Sequence, residues 1–300
     1  MSLDTVLYRI KTDFGIARLV HHNPFSKGPP VLFIHGFGSS GEVWFRYEDS
    51  LGNYLSLKGI DCWSLTLSNA VYANIIDLAE NDLLTSLELV FEESQQKVTI
   101  ISHSMGGIIT RVMTSPNFQH SRELTRIEEM IFGIVLLTVP NQGITRGNRS
   151  KMEEFFNSVQ QVLSKERVPP DLGLGFFQLT PKSQLLSRLN QDPILNPNLH
   201  WLNAIGRYDW IVPITSSSLP LANTPKSLNL KQKEFPCDHM TYPFDNTLKR
   251  LSQFAQRAIL DNLDVPWDMI ESKMIWRPAI HRHPPVGDWI ISQFFPELIP

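Results

Sequence analysis

The stretch ISHSMGG, residues 101–107, decides how this chain is read. Upstream of it lies KVTI, a short β-branched run. Downstream lies IITRVM, which suits a helix. One serine, Ser104, falls on the corner between the two, and small residues, Ser102 and Gly106, stand two positions away on either side. A serine held on a tight strand-to-helix turn has a strained backbone and little room around it, and its hydroxyl projects above the sheet edge. The helix that follows places positive potential beside that hydroxyl. This is the pattern of a G-x-S-x-G nucleophile turn, with Ser102 where glycine is usual. The alternative, a serine that only caps a helix, would need no further machinery elsewhere in the chain.

Outward from this corner, VLFIHG (31–36), IDCWSLTL (60–67), VTIIS (98–102) and GIVLLTV (133–139) are continuous apolar runs of strand length. Runs apolar on both faces suit a parallel sheet covered by helices on each side. In NIIDLAENDLLTSLELVFEES (74–94), Ile76, Ala79, Leu83, Leu87 and Val90 recur at helical spacing, with Asp77, Glu80, Asp82, Glu88 and Glu92 assigned to the outer face. After Pro140 the rhythm breaks. Residues 141–199 hold the helical KMEEFFNSVQQVL, the loop-like PPDLGLG and the helical PKSQLLSRLN, and read as an inserted helical cap. Strand-like runs return at 200–209 and 228–235. An amphipathic helix carrying Leu248, Leu251 and Phe254 follows. The expected architecture is α/β: a mostly parallel central sheet with helices on both faces and an inserted helical cap. The core is expected over 1–140 and 200–262, the cap over 141–199, and an irregular C-terminal extension over 263–300.

The remaining parts of a nucleophilic site lie in order along the chain. HGFGSS (35–40) follows the first strong strand, and its Phe37 amide, paired with the Met105 amide, is placed to hold an oxyanion. His35, at the strand end, reads as a structural ring that hydrogen-bonds the loop. GRYDWIVP (206–213) puts Asp209 after an apolar strand, where a carboxylate orients an imidazole. Asp192 and Asp238 are weaker rivals. FPCDHMTYP (235–243) puts His239 in a loop beyond the last strand, which completes the order Ser, Asp, His.

The totals exclude several other classes. The formal net charge of −3 offers no basic face for nucleic acid. Cys62 and Cys237 make neither a disulfide framework nor a metal site, and a reducing, cytoplasmic setting is expected. No signal peptide and no membrane span are read, so lipid-surface contact would be transient. His21, His22, His120, His200, His281 and His283 lie away from the motifs and give no metal-ligand spacing.

LFIHGFGSS, SHSMGGIITR, GRYDWIVP, DHMTY and QLTPKSQLLSRLN together resemble the α/β-hydrolase superfamily. Within it they are similar to bacterial triacylglycerol lipases and esterases and to the lipase-like relatives of inositol deacylases. The resemblance runs from about residue 29 to 260. It implies a serine hydrolase of carboxylic esters with Ser104, Asp209 and His239 as triad, Phe37 and Met105 as oxyanion donors, and no cofactor or metal. The implied partner is a small ester or lipid. Phe155, Phe156, Phe176 and Phe177 in the cap are candidate acyl contacts. A thioesterase, amidase or peptidase on the same fold, or a silent scaffold, are the competing readings. Ser102 and the unfamiliar tail are the departures from the family pattern.

Overall fold

The computed structural model describes residues 5–12, 15–70, 72–144, 173–209, 211–219, 228–239 and 279–298. Eight strands form one sheet: β1 (Val6–Thr12), β2 (Gly15–His21), β3 (Pro30–Ile34), β4 (Asp61–Thr66), β5 (Val98–His103), β6 (Ile131–Leu137), β7 (Trp201–Gly206) and β8 (Leu230–Phe235). Their spatial order is β1-β2-β4-β3-β5-β6-β7-β8. The first two form an antiparallel hairpin, and β2 joins β4 antiparallel. Every other pairing is parallel.

The apolar runs are continuous because both faces of these strands are covered. Leu32, Ile34, Ile100, Ile134 and Leu136 belong to one core cluster. Val31, Phe33, Ile101, Val135 and Leu137 alternate into the other. The first layer is roofed by α2 (Ile75–Asp77), a π-helical turn (Leu78–Leu83), α3 (Leu84–Ser94), α4 (Met105–Met113) and α5 (Ser121–Met130). The second is closed by α1 (Leu51–Leu57) and, after chain residues far away in sequence, by α9 (Pro284–Phe294).

Two expectations change here. The 74–94 helix is interrupted by the π turn, which advances the helix phase and brings Asp82 inward. Asp82 is fully buried, and its carboxylate accepts from the backbone N–H and the hydroxyl of Ser68. The tail, expected to be irregular, carries the eleven-residue α9. Proline fits the first turn of α9, and Val286, Ile290 and Phe294 share its buried face. Phe294 lies so close to Gly133 that a Cβ there would stand 2.6 Å from its ring.

Between β6 and β7, α6 (Gly173–Gln178), α7 (Gln184–Leu189) and their loops are described, and the short α8 (Ile214–Ser217) follows β7. α6 begins inside the stretch expected to be loop. Gly175 lets it lie close over the chain, since a Cβ would sit 3.1 Å from the Ala73 carbonyl oxygen. The helix expected to carry Met152, Phe155 and Phe156 falls outside the described residues, as does the one expected over 248–259.

Arg111, on α4, ties Asn141 and the end of α7 with the loop after it to the core. It is 1% exposed and donates to Asn141 Oδ1 (3.1 Å), Asn190 Oδ1 (2.9 Å), the Ile194 carbonyl (3.2 Å) and the Leu189 carbonyl (3.3 Å). Burial lowers its pKa to about 9, so it remains a cation at neutral pH. Removing the guanidinium would leave several buried acceptors without donors. Arg111→Ala is therefore expected to destabilise the fold by about 3 kcal/mol or more, read as a lower urea midpoint.

Candidate active site

Topology brings the site together. β3 pairs with β4 on one side and β5 on the other, with Ile34 opposite Ser102 and Ile34 also opposite Leu65. The loops leaving β3 and β5 therefore emerge side by side at the carboxyl edge, where successive connections run in opposite directions.

Ser104 follows β5 directly and has φ 53° and ψ −126°, a conformation costly for a residue with a Cβ. Its N–H is held by the Leu137 carbonyl at 3.0 Å, and its own carbonyl accepts from Gly107 at 2.9 Å. A Cβ on Gly36 would meet Ser104 Cβ at 2.8 Å, and one on Gly106 would meet the His35 carbonyl oxygen at 2.5 Å. The need for glycine at 36 and 106 is thus steric. Ser102 is accommodated where glycine is usual because its hydroxyl has a partner. It donates to Thr110 Oγ1 at 2.9 Å, while Thr110 donates to the Gly106 carbonyl at 2.9 Å.

The three residues expected to act together meet. His239 Nε2 lies 2.9 Å from Ser104 Oγ, and His239 Nδ1 lies 2.7 Å from Asp209 Oδ2. The other carboxylate oxygen of Asp209 accepts from the backbone N–H groups of Ile211 (2.9 Å) and Val212 (2.7 Å). Those two amides fix the carboxylate and leave one oxygen for the imidazole. Burial pushes the Asp209 carboxyl up, and the two amides pull it back toward the ionised form. Burial pushes His239 down to about 3, so its Nε2 is unprotonated at neutral pH and accepts from the serine hydroxyl.

Of the rivals, Asp238 uses Oδ1 to accept from the His239 backbone N–H at 2.7 Å, so it holds the loop rather than the ring. Asp192 lies in the loop after α7, before Pro193. His35 donates from Nδ1 to the Gly36 carbonyl (2.7 Å) and accepts at Nε2 from the Leu67 N–H (3.1 Å), which fixes the loop that carries Phe37. Phe37 is half-buried against the core. Met105 opens α4, and the first amide of a helix has no intrahelical acceptor. α6 passes over Met105, with Phe177 48% exposed at its surface, and Phe176 belongs to the same helix. Phe155 and Phe156 lie outside the described residues. Among the described residues no group of three or more His, Cys, Asp or Glu side chains could hold a metal ion.

One neighbour was placed away from the motifs by sequence and lies beside the site in the structure. His281 packs against His103, which precedes the serine, and His103 Nε2 donates to the His239 carbonyl at 2.7 Å. The signal for His103 was its place at the buried end of β5. For His281 the sequence holds none.

The family pattern of the PGAP1-like alpha/beta domain matches residues 74–184. A pimeloyl-(acyl-carrier protein) methyl ester esterase of Vibrio campbellii is 24% identical over 224 residues, covering 66% of this chain and 84% of that protein. Triacylglycerol lipase 1 of Arabidopsis thaliana is 29% identical over 109 residues, covering 30% of this chain and 28% of the plant protein. The crystal structure of a thermostable carboxylesterase cloned from a metagenomic library superposes with a TM-score of 0.54 at 17% identity, covering 88% of this chain and 90% of that one. The chain has the fold of the α/β-hydrolases. Its similar proteins are esterases and lipases.

Burial has a consequence for acid stability. His22 and His35 are lowered to about 4, His239 to about 3, and His103 and His281 well below 6.5, all chiefly by desolvation. The unfolded chain takes protons on these rings near pH 6.5 and the folded chain does not. Stability is therefore fully present above pH 6.5 and is lost as pH falls toward 4. The urea midpoint at pH 5 is expected to lie below that at pH 7, and equal midpoints would contradict the buried neutral rings.

Proposed function

We propose that the protein is a serine hydrolase that cleaves carboxylic esters through an acyl-enzyme, with Ser104 as nucleophile, His239 as base and Asp209 as the carboxylate that orients it. The observation that carries this reading is the continuous chain of short contacts from Asp209 through His239 to Ser104, at 2.7 and 2.9 Å, ending on a serine at φ 53°.

In the proposed cycle His239 Nε2 takes the Ser104 proton as Oγ bonds to the ester carbonyl carbon. Negative charge gathers on the carbonyl oxygen, which the amides of Phe37 and Met105 are proposed to receive. The tetrahedral species collapses, the bond to the alcohol oxygen breaks, and His239 returns the proton to the leaving alcohol. Water then gives a proton to His239 and attacks the acyl carbon, which frees the acid and restores the Ser104 hydroxyl. Asp209 stays ionised throughout and holds Nδ1–H, so that Nε2 is the basic nitrogen.

The cap supports an apolar acyl group. Gln178 ties α6 to the chain at Asn74 and Ile75 (2.9 and 2.8 Å). Leu174 and Phe177 stand 50% and 48% exposed on that helix. Phe155, Phe156, Phe176 and Phe177 are retained as proposed acyl contacts. The substrate class proposed is therefore an ester of an aliphatic acid, in keeping with the similar esterases and lipases. Among the described residues no helix is long and apolar enough to cross a membrane.

Hydrolysis of p-nitrophenyl esters from short to long acyl chains tests the reading. The wild type is expected to turn over at least the shorter members, and Ser104→Ala to abolish turnover while remaining folded. A folded wild type inert to every chain length would overturn it. Asp209→Asn is expected to keep the fold and lower kcat by about four orders of magnitude, because an amide favours the wrong imidazole tautomer.

A further inference from the structure

We infer that His103 is a positioning residue for His239, and that the C-terminal segment, through His281, holds His103 in the orientation that does this. The inference rests on the hydrolase reading above and extends it to residues outside the triad.

The base sits in a loop just beyond β8, and loops hold their side chains less rigidly than strands do. His239 is nonetheless fixed at both of its backbone polar groups. Its N–H is bound by Asp238 Oδ1 at 2.7 Å, and its carbonyl is bound by His103 Nε2 at 2.7 Å. A carbonyl only accepts, so His103 carries its proton on Nε2. His103 is the last residue of β5 and is covalently joined to Ser104. The elbow therefore grips the base twice, once through the Ser104 hydroxyl and once through the neighbouring side chain. The second grip sets how far the His239 ring stands from the serine.

His103 needs a wall to keep its ring aimed at that carbonyl. Its ring centroid lies 4.6 Å from that of His239, 5.4 Å from that of His281 and 6.4 Å from that of Trp44. Trp44 also meets His281 edge-on at 5.9 Å. His281 is 3% exposed and is itself pinned on both sides. The preceding residue, Ile280, donates its N–H to the Asp238 carbonyl at 2.9 Å, beside the base. The following residue, Arg282, forms a two-point contact with Asp49 at 2.8 and 3.0 Å and lies 4.0 Å over the Tyr47 ring. A segment more than forty residues beyond the base in sequence is thus built into the base's support.

The test is the rate at which a fluorophosphonate probe labels Ser104. In that step Oγ bonds to phosphorus, fluoride leaves, and the serine proton passes to His239. Labelling of the wild type and not of Ser104→Ala establishes the reaction being positioned, and an unlabelled wild type would overturn both this inference and the hydrolase reading. His103→Phe keeps a buried ring and removes the donor. It is expected to lower the maximal labelling rate about a hundredfold with little change in probe affinity. His103→Gln, whose amide N–H reaches the same carbonyl, is expected to stay within about tenfold of wild type. His281→Ala is expected to lower the maximal rate as well, and His281→Phe to restore most of it. A folded His103→Phe that labels at the wild-type rate, or Gln and Phe variants that fall equally, would overturn the positioning role. Should His103→Phe not fold, His281→Ala decides, and a wild-type rate there overturns the inference.

Discussion

The backbone of Ser104 is the constraint on which the rest of the site depends. A residue with a Cβ at φ 53° and ψ −126° carries about 1–3 kcal/mol of strain, which the surroundings must override. Here they do so from three sides. β6 holds the serine N–H through Leu137, α4 begins at the next residue, and the β3 loop presses against the turn where only glycine fits at 36 and 106. None of these could be moved without releasing the turn. The loop after β3 is therefore placed beside the serine by the same packing that strains it, and His35 stiffens that loop through two hydrogen bonds of its buried ring.

The sheet order explains why so few contacts suffice. Parallel strands deliver the residues at their carboxyl ends to one edge: Gly36 and Phe37 after β3, Ser104 after β5, Asp209 after β7 and His239 after β8. Each group then needs only a few hydrogen bonds to fix it. For Asp209 this is done by the two amides of its own turn, and for His239 by Asp238 and His103. Orientation comes from hydrogen bonds spanning one to three residues, joined by the long-range bond from His103 to His239, and position comes from the sheet.

Much of this was legible in the sequence, and the exceptions have physical causes. The five strands β3 to β7 read clearly because burial on both faces makes them largely apolar, whereas the edge strand β8 is mostly exposed. The N-terminal hairpin did not, since β1 and β2 interleave exposed Arg9, Lys11 and Arg18 with few buried residues. Asp82 was assigned outward because an α-helical period was carried through 78–83, and a π turn breaks that period. α9 was missed because its start, PPVGDW, carries two prolines and a glycine, while its buried residues show helical spacing only over the whole segment. The Ser–Asp–His set was legible because its members follow strands in a fixed order. His281 was not, because its role comes from distant chain packing and not from a local pattern.

The two halves of the site also differ in how they are assembled. The Ser104 turn, the loop after β3 and the strands beneath them lie within residues 30–139. The base depends on elements much further apart. β8 must pair with β7, residues 279–282 must lie along the Asp238 loop, and α9 must pack on α1, with Tyr54 bonded to Asp288 and Arg282 to Asp49. Contacts this distant in sequence carry the larger loop-closure cost and gain their stabilisation only once the sheet exists. The C-terminal segment closes the second face of the sheet and, in the same docking, sets its histidine against the ring that holds the base. Core stability and the geometry of the base are in this way consequences of one packing event.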